Sequence, residues 1–419
     1  MRLLNLYSLP FKEFYGEYGR PPYAILSHRW TKDEASHRDF VQGCDHRGSG
    51  KITDFCTFAR GRLTRVWNKQ RHLYEDEVVL QWGWVDTICI DKTSSQEVSE
   101  SINSMFAWYE EAAVCYVFLR DVPPSAPGNP TVLKAFANSE WFERGWTLQE
   151  MLASRNVIFC NQAWQVIGHK CTHGAGFRPC ACAMKYNQHV YGPALNAEIS
   201  RRTNINPRYL RLEDSIFKAS IACRLSWAAR RDTTRIEDMA YCLLGILEVN
   251  MPLLYGEGGR AWERLQEEII KRSSDQSIFA WARSHDSSDG FGCALANEPV
   301  YFAEASNIVT TSKSPDAPYA LTNIGLGVRA RTRKIWDSEV QREVFVIWLN
   351  CGHYTREDGK GAFVPSVMTI ARVGSPSSNS TYKRVWCSPQ VLAAKGEEVP
   401  ERLFYVRAWP STGAATLER

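Results

Sequence analysis

Glu150 lies in the stretch WFERGWTLQEMLA, residues 141–153, on a short predicted helix that does not need an acid for packing. Phe142, Trp146 and Met151 or Leu152 recur at roughly helical spacing and would share a buried face, with Glu150 beside it. A carboxylate so placed would be partly desolvated and held in one orientation, which makes it a functional candidate. The alternative is a solvated glutamate paired with Arg144 or Arg155. Other groups capable of chemistry fall just after apolar runs: Ser27, His28, Arg29 and Trp30, then Asp86 and Asp91, then Asp121. Trp30 could stack on a ring and Arg29 could pair with a phosphate; equally, Trp30 could be core and Arg29 could pair with Asp86. Cys171, His173, Cys180 and Cys182 could surround a tetrahedral zinc, but they lack the Cys-x-x-Cys pairing of common structural sites. An irregular insert without metal is expected there.

The elements that would position these groups follow from hydrophobic spacing. Residues 23–27 (YAILS) predict a buried strand behind Pro21 and Pro22. The polar residues 31–50 predict a loop. Residues 52–74 predict a helix, with Phe55, Phe58, Ala59, Leu63, Val66 and Trp67 inside and Arg60, Arg62, Arg65, Lys69 and Arg71 on the wet side. Residues 78–90 (VVLQWGWVDTICI) predict a second strand with Asp86 near its carboxyl end. Ser94, three residues before Glu97, predicts a capping box opening a helix with Val98, Ile102, Met105, Phe106 and Tyr109 on one face. Residues 114–119 (VCYVFL) predict a third strand, 122–130 a loop and 156–160 a fourth strand. Such alternation predicts an α/β domain with a mostly parallel sheet. Ligands of open parallel sheets bind at the carboxyl ends of strands, where Ser27 with His28 and Arg29, Asp86 and Asp121 would converge on one crevice.

Residues 161–212 lose this rhythm. Helices are expected from 213 to 230, and again from Thr234, which with Glu237 would cap a core helix carrying Ile236, Met239, Ala240, Leu243, Leu244 and Leu247. The run YGEGG, 255–259, opens a further helix with Ala261, Trp262, Leu265, Ile269 and Ile270 inside. From about residue 277 the period shortens to two. SIFAWA, VYFAEA, YALTNIGLGVRA, EVFVIWLN, FVPSVMTIARV, KRVWC and RLFYVRA predict an antiparallel β-domain of sandwich type. The expected domains are 1–165, 166–275 and 276–419.

A chain of 419 residues is too long for one ordinary core. Fifty basic against 46 acidic residues give a net charge of +4, no general case for nucleic acid or an acidic membrane surface. The 13 cysteines are odd in number, and Cys89, Cys115, Cys160 and Cys242 sit inside apolar segments, which fits a reducing compartment. With no signal-peptide core and no apolar run long enough to span a bilayer, a soluble cytoplasmic protein is expected. The phosphate loop, G-x-G-x-x-G, H-E-x-x-H and G-x-S-x-G patterns are absent, which removes several enzyme classes.

Three segments, YAILSHRW, WVDTICIDKTSSQEVSESINSMFAWYEEAAVCYVFLRDV and WFERGWTLQEMLA, resemble the three motifs of the fungal heterokaryon incompatibility domain. This resemblance covers roughly residues 20–165. The segment SWAARRDTTRIEDMAYCLLGILEVNMPLLYGEGGRAWERLQEEII is similar to the helical region that follows the domain in many fungal, especially basidiomycete, members. The domain in turn resembles TIR domains, whose strand pattern YDVFLSFRG is echoed by residues 23–30, and whose serine, Trp-Cys and glutamate are echoed by Ser139, Trp146, Thr147 and Glu150. Thr147 replaces the TIR cysteine, His28 replaces a phenylalanine, and a long insert follows the first strand.

The resemblance implies a TIR-like or flavodoxin-like fold. It also implies an intracellular self/non-self or cell-death signalling protein that hydrolyses NAD at the nicotinamide–ribose bond. Glu150 would be the catalytic acid. Ser27, Arg29, Trp30, Asp86 and Trp146 would line the nucleotide pocket, with Lys92 to Glu97 as a loop over it. NAD is then substrate, no cofactor or metal is required, and a homo-oligomer is expected on activation, with a protein partner of unknown identity. The competing expectation is a non-catalytic interaction module that recruits a death effector.

Overall fold

Tyr23–His28 is buried along its whole length, as a strand covered on both faces must be. In the computed structural model it is the central strand of the first of two compact units, Met1–Lys218 with Arg231–Gly256; the second is Ala219–Arg230 with Glu257–Arg419. The structure describes the chain except residues 17–18, 44–48, 69–70, 72, 125–128, 173–190, 283–290, 312–318, 338–341, 358–359, 374–380, 386–400 and 407–419.

In chain order the strands of the first unit are β1 (Arg2–Asn5), β2 (Phe11–Glu13), β3 (Tyr23–His28), β4 (Leu63–Asn68), β5 (Leu73–Val79), β6 (Trp82–Trp84), β7 (Val114–Phe118), β8 (Val157–Cys160) and β9 (Val166–Lys170). Seven of them form one sheet in the order β2-β1-β6-β3-β7-β8-β9. The expected parallel core is present in β6, β3, β7 and β8. The sheet as a whole is mixed, because β1, β2 and β9 add antiparallel edges. Short turns join β1 to β2 and β8 to β9, so these edge strands needed no crossover helix and left little periodicity to read.

The α-helices up to residue 160 are α1 (His37–Val41), α2 (Ser49–Ala59), α3 (Asp86–Cys89), α4 (Ser95–Glu111), α5 (Pro130–Ala137) and α6 (Trp146–Ala153). The helix expected over 52–74 ends at Ala59. Gly61 takes φ +75°, a left-handed turn that glycine tolerates, and the chain enters the β4–β5 hairpin. The expected strand 78–90 is likewise divided: β5 ends at Val79, β6 covers only Trp82–Trp84, and Asp86 opens α3. Asn129 caps α5, with Pro130 in its first turn, so a helix opens at the end of the expected loop 122–130. Only half of the expected capping box at α4 forms. Ser94 accepts from the Glu97 N–H, while the Glu97 carboxylate turns to the Asp91 N–H at 2.9 Å and to Arg2 at 2.8 Å. Ile102, Met105 and Tyr109 of α4 are buried as expected.

The core helix expected from Thr234 is reduced to Asp238–Tyr241 followed by turns. Ala240, Tyr241, Leu243, Leu244, Ile246 and Leu247 are all buried, so the segment is surrounded and lacks a single apolar stripe. Thr234 accepts from Arg144 at 2.8 Å and caps nothing. Gly245 lies against Phe106 of α4, where an added Cβ would come within 2.2 Å of the Phe106 Cβ. Gly245→Ala is therefore expected to cost about 2–3 kcal/mol by overpacking, read as a lower urea midpoint at unchanged m.

In the second unit, Arg260–Arg272 is the expected amphipathic helix, burying Ala261, Trp262, Leu265, Ile269 and Ile270. SIFAWA and VYFAEA are not strands. Gln276–Phe279 and Pro299–Phe302 are 3₁₀ turns, the first capped by Asp275 and the second opened by Pro299. The strands β10 (Phe291–Gly292), β11 (Val309–Thr310), β12 (Tyr319–Thr322), β13 (Gly325–Asp337), β14 (Arg342–Glu357), β15 (Lys360–Val373), β16 (Thr381–Val385) and β17 (Glu401–Val406) form one sheet. β13 pairs with β17 through Leu326–Arg331 and with β14 through Thr332–Asp337, which closes β13, β14, β15, β16 and β17 into a ring. This barrel-like closure stands in place of the two facing sheets of a sandwich, and it removes most free edges.

Candidate active site

Alternation along β3 sends Ser27 and His28 to opposite faces of the sheet. On the Ser27 side, the Trp141 indole N–H donates to Ser27 Oγ at 2.9 Å, and the Ser27 hydroxyl donates to Glu150 Oε2. Glu150 is 6% exposed, and its bonded partner is Ser27; neither Arg144 nor Arg155 makes an ion pair with it. Burial pushes its carboxyl up from 4.5 to about 8, opposed by the Ser27 hydroxyl and helped by the nearby Asp86 charge. Tyr109 donates to the Leu26 carbonyl at 3.1 Å. Because the Ser27 hydroxyl favours the ionised form, Ser27→Ala is expected to move the Glu150 titration above about 8, measurable by carboxyl-labelled NMR.

The stretch 141–153 is not one helix. Glu140–Glu143 is a 3₁₀ turn and α6 begins at Trp146, with the break at Arg144 and Gly145 pinned to the segment around Asp232. Thr147 bridges the break, donating to the carbonyls of Trp141 at 2.6 Å and Arg144 at 2.9 Å. Buried Arg231 donates to the Arg144 carbonyl and the Thr147 hydroxyl, and burial lowers its guanidinium to about 10. At the other end, the buried Lys170 ammonium donates to the carbonyls of Met151, at 2.7 Å, and Ser154. A cation on terminal carbonyls suits the negative end of the helix dipole. The helix that carries Glu150 is thus clamped at both termini.

At the strand ends, Asp121 after β7 receives the Ser139 hydroxyl at 2.8 Å and the Glu140 N–H at 2.7 Å. Glu140 in turn pairs with Arg29 at 2.6 Å and Arg120 at 3.3 Å. Arg29 therefore meets Glu140, not Asp86. Asp86 instead accepts from the Trp30 indole at 2.8 Å, and the Lys92 ammonium stands 3.4 Å from the Trp30 ring centroid. Trp30 is 44% exposed and is not core. On the opposite face, His28 Nε2 lies 3.6 Å from Glu34, which also pairs with Lys51. Burial opposes ionisation of Glu34, yet His28 and Lys51 hold its carboxyl well below the usual range. Asp86 Oδ1 and His28 Nδ1 are buried with no hydrogen-bond partner among the described residues, two polar atoms at the strand ends that a ligand could satisfy.

The structure thus brings Glu150, Ser27 and Asp86 into one electrostatic neighbourhood, with Trp30 and Arg29 at its rim. Trp146 stands one turn before Glu150, but its indole engages Asp238, which also receives the Tyr255 hydroxyl at 2.9 Å. Trp141, Tyr109, Glu34, Lys51, Lys170 and Arg231 enter the site unforeseen. Tyr109 belongs to the expected apolar face of α4, Trp141 to the stretch 141–153 and Arg231 to the segment 226–270, but the sequence marks none of them for the site. Of the possible zinc ligands, Cys171 is held by the Asn196 amide, and His173, Cys180 and Cys182 lie outside the described residues. No cluster of three metal-ligating side chains occurs among the described residues. Burial pushes the thiols of Cys56 and Cys89 up to about 12 and those of Cys115, Cys160 and Cys242 higher, which makes them inert. No helix among the described residues is long and apolar enough to cross a membrane.

A mixed sheet whose central strand β3 meets a buried acid on α6 and ends in an arginine-aromatic rim defines the first unit. Residues 23–126 of it match the family model of the heterokaryon incompatibility protein (HET), so the chain carries a HET domain. Residues 260–314 match a domain of unknown function (DUF8212). The chain is 39% identical over 259 residues to the vegetative incompatibility protein HET-E-1 of Podospora anserina, an alignment that covers 60% of this chain and 16% of that protein. The chain therefore spans less than a fifth of that relative's length. No solved structure matches the chain.

Proposed function

We propose that the chain serves intracellular self/non-self recognition or cell-death signalling, and that its HET domain is a TIR-like hydrolase of NAD. The signalling part is supported by the HET domain and by the name of the vegetative incompatibility protein it resembles. The catalytic part rests on one observation above all: a desolvated carboxyl, Glu150, that accepts from Ser27 at the end of the central strand, with Ser27 itself held by the Trp141 indole. Cleavage of the nicotinamide–ribose bond sends its electron pair to the pyridinium nitrogen, leaving neutral nicotinamide and an oxocarbenium-like ribose. The Glu150 carboxylate would stabilise that cation until water adds at the same carbon and gives up a proton, as carboxylates do in glycoside hydrolysis. Trp30 would stack on a ring, and Arg29 would exchange Glu140 for a phosphate.

One observation favours the competing non-catalytic module. Lys92 already stands over Trp30, and Arg29 already pairs with Glu140, so the rim groups satisfy one another. Assembly into a homo-oligomer is proposed to release them. Nicotinamide release by the full chain at low and high protein concentration tests this. Release that rises more steeply than protein concentration supports an assembled NAD hydrolase; no release from an assembled, folded sample favours the module.

A further inference from the structure

A second site lies on the face of the sheet opposite Glu150. Between the carboxyl end of α2, the Gly61 turn and the β8–β9 turn is a groove of about 640 Å³, within the size range of small-molecule pockets. Phe58 and Trp164 form its aromatic wall, with ring centroids 5.2 Å apart. Trp164 also stacks on Phe118 at 4.8 Å, and Phe58 meets Tyr116 edge-on at 5.1 Å. Tyr116 and Phe118 flank Val117, which is the register partner of Ser27, so this wall belongs to the His28 face and not to the face of Glu150.

Two features suit the groove to a planar anion. Arg62 is preorganised: its Nε donates to the Phe58 carbonyl at 2.9 Å and its guanidinium lies 3.8 Å from the Phe58 ring centroid, which leaves both terminal nitrogens for an oxyanion. Arg60 is exposed at the same rim. Trp164 is held at φ +58°, a left-handed conformation unusual for a bulky residue. Asn161 fixes it there by accepting from the N–H groups of Ala163 and Gln165, both at 3.0 Å. Against these two guanidiniums the groove carries one acid, Asp54, which with Gln162 offers hydrogen bonds to a sugar or a base edge.

We propose that this groove binds a nucleoside monophosphate: the ring against Phe58 and Trp164, the phosphate on Arg60 and Arg62. The site is independent of the Glu150 chemistry. Isothermal titration of the full chain with AMP, adenosine and inorganic phosphate tests it. AMP is expected to bind more tightly than either fragment, at least about tenfold more weakly in Arg60→Ala and in Trp164→Gly, and equally well in Glu150→Gln. Glycine relieves the positive φ at position 164, and Arg60 is exposed, so thermal melting should show both variants folded; if Trp164→Gly is not, Arg60→Ala decides. Absence of AMP binding, adenosine binding as tightly as AMP, or affinity unchanged by Arg60→Ala but lost in Arg29→Ala would overturn the proposal.

Discussion

Lys170→Met is expected to destabilise the first unit by about 3 kcal/mol, because two buried helix-terminal carbonyls lose a charged donor together. Leaving a buried acceptor unsatisfied costs about 1–3 kcal/mol each, and the Met side chain fills the volume without replacing either bond. Removal of a buried charge offsets part of this, so the figure lies well below the sum of the two extremes. Urea unfolding of the full chain should show an earlier loss of the first unit, with the slope unchanged. A midpoint equal to that of the parent protein would mean that Met151 and Ser154 do not need this cap.

The second large effect has the opposite sign. The Glu150 carboxyl ionises near 4.5 when exposed and near about 8 when folded. Below 4.5 it is neutral in both states and its stabilising term is fully present. As pH rises towards 8 the unfolded chain releases the proton first, so stability falls, and the loss is complete once pH has passed the folded value. At about 1.4 kcal/mol per pH unit this is on the order of 5 kcal/mol. Glu150→Gln keeps an acceptor for Ser27 and cannot ionise. It should abolish that slope and melt higher than the parent protein at alkaline pH. Such a pattern is common where a functional group is held against stability. A variant that melts lower than the parent at alkaline pH would show that Glu150 is a structural acid.

Much of the scaffold around Glu150 was legible because its signals are local. β3, β7 and β8 are apolar runs of strand length, and α4 carries both a cap and a stripe. The failure over 52–74 is instructive: Leu63, Val66 and Trp67 continue the helical spacing of Phe55 and Ala59, and only the turn at Gly61 and the pairing with β5 divide them. Pairing of this kind is settled by partners elsewhere in the chain. The same applies to the β-ring, whose closure depends on β13 meeting β14 with one half and β17 with the other. Within the site, Glu150 stood out as an acid beside an apolar face, but Ser27 lies 123 residues away and nothing between them marks the contact. Lys170, in the ordinary strand VIGHK, gives no hint that its ammonium closes α6. Lys92 over Trp30 is equally silent in the sequence.

The most direct test of Glu150 as the acid of an NAD hydrolase is the rate of nicotinamide release across the pH range on either side of about 8, for the parent chain and for Glu150→Gln. The free-enzyme profile, kcat/KM, should rise with pH through about 8 as the carboxylate forms. The kcat profile should rise earlier, because the pyridinium charge of bound NAD favours the ionised acid. Glu150→Gln, folded and more stable at alkaline pH, should lose about 10²–10⁴-fold in rate. Release that is flat with pH, or undiminished in Glu150→Gln, would contradict the assignment of Glu150 as the catalytic acid.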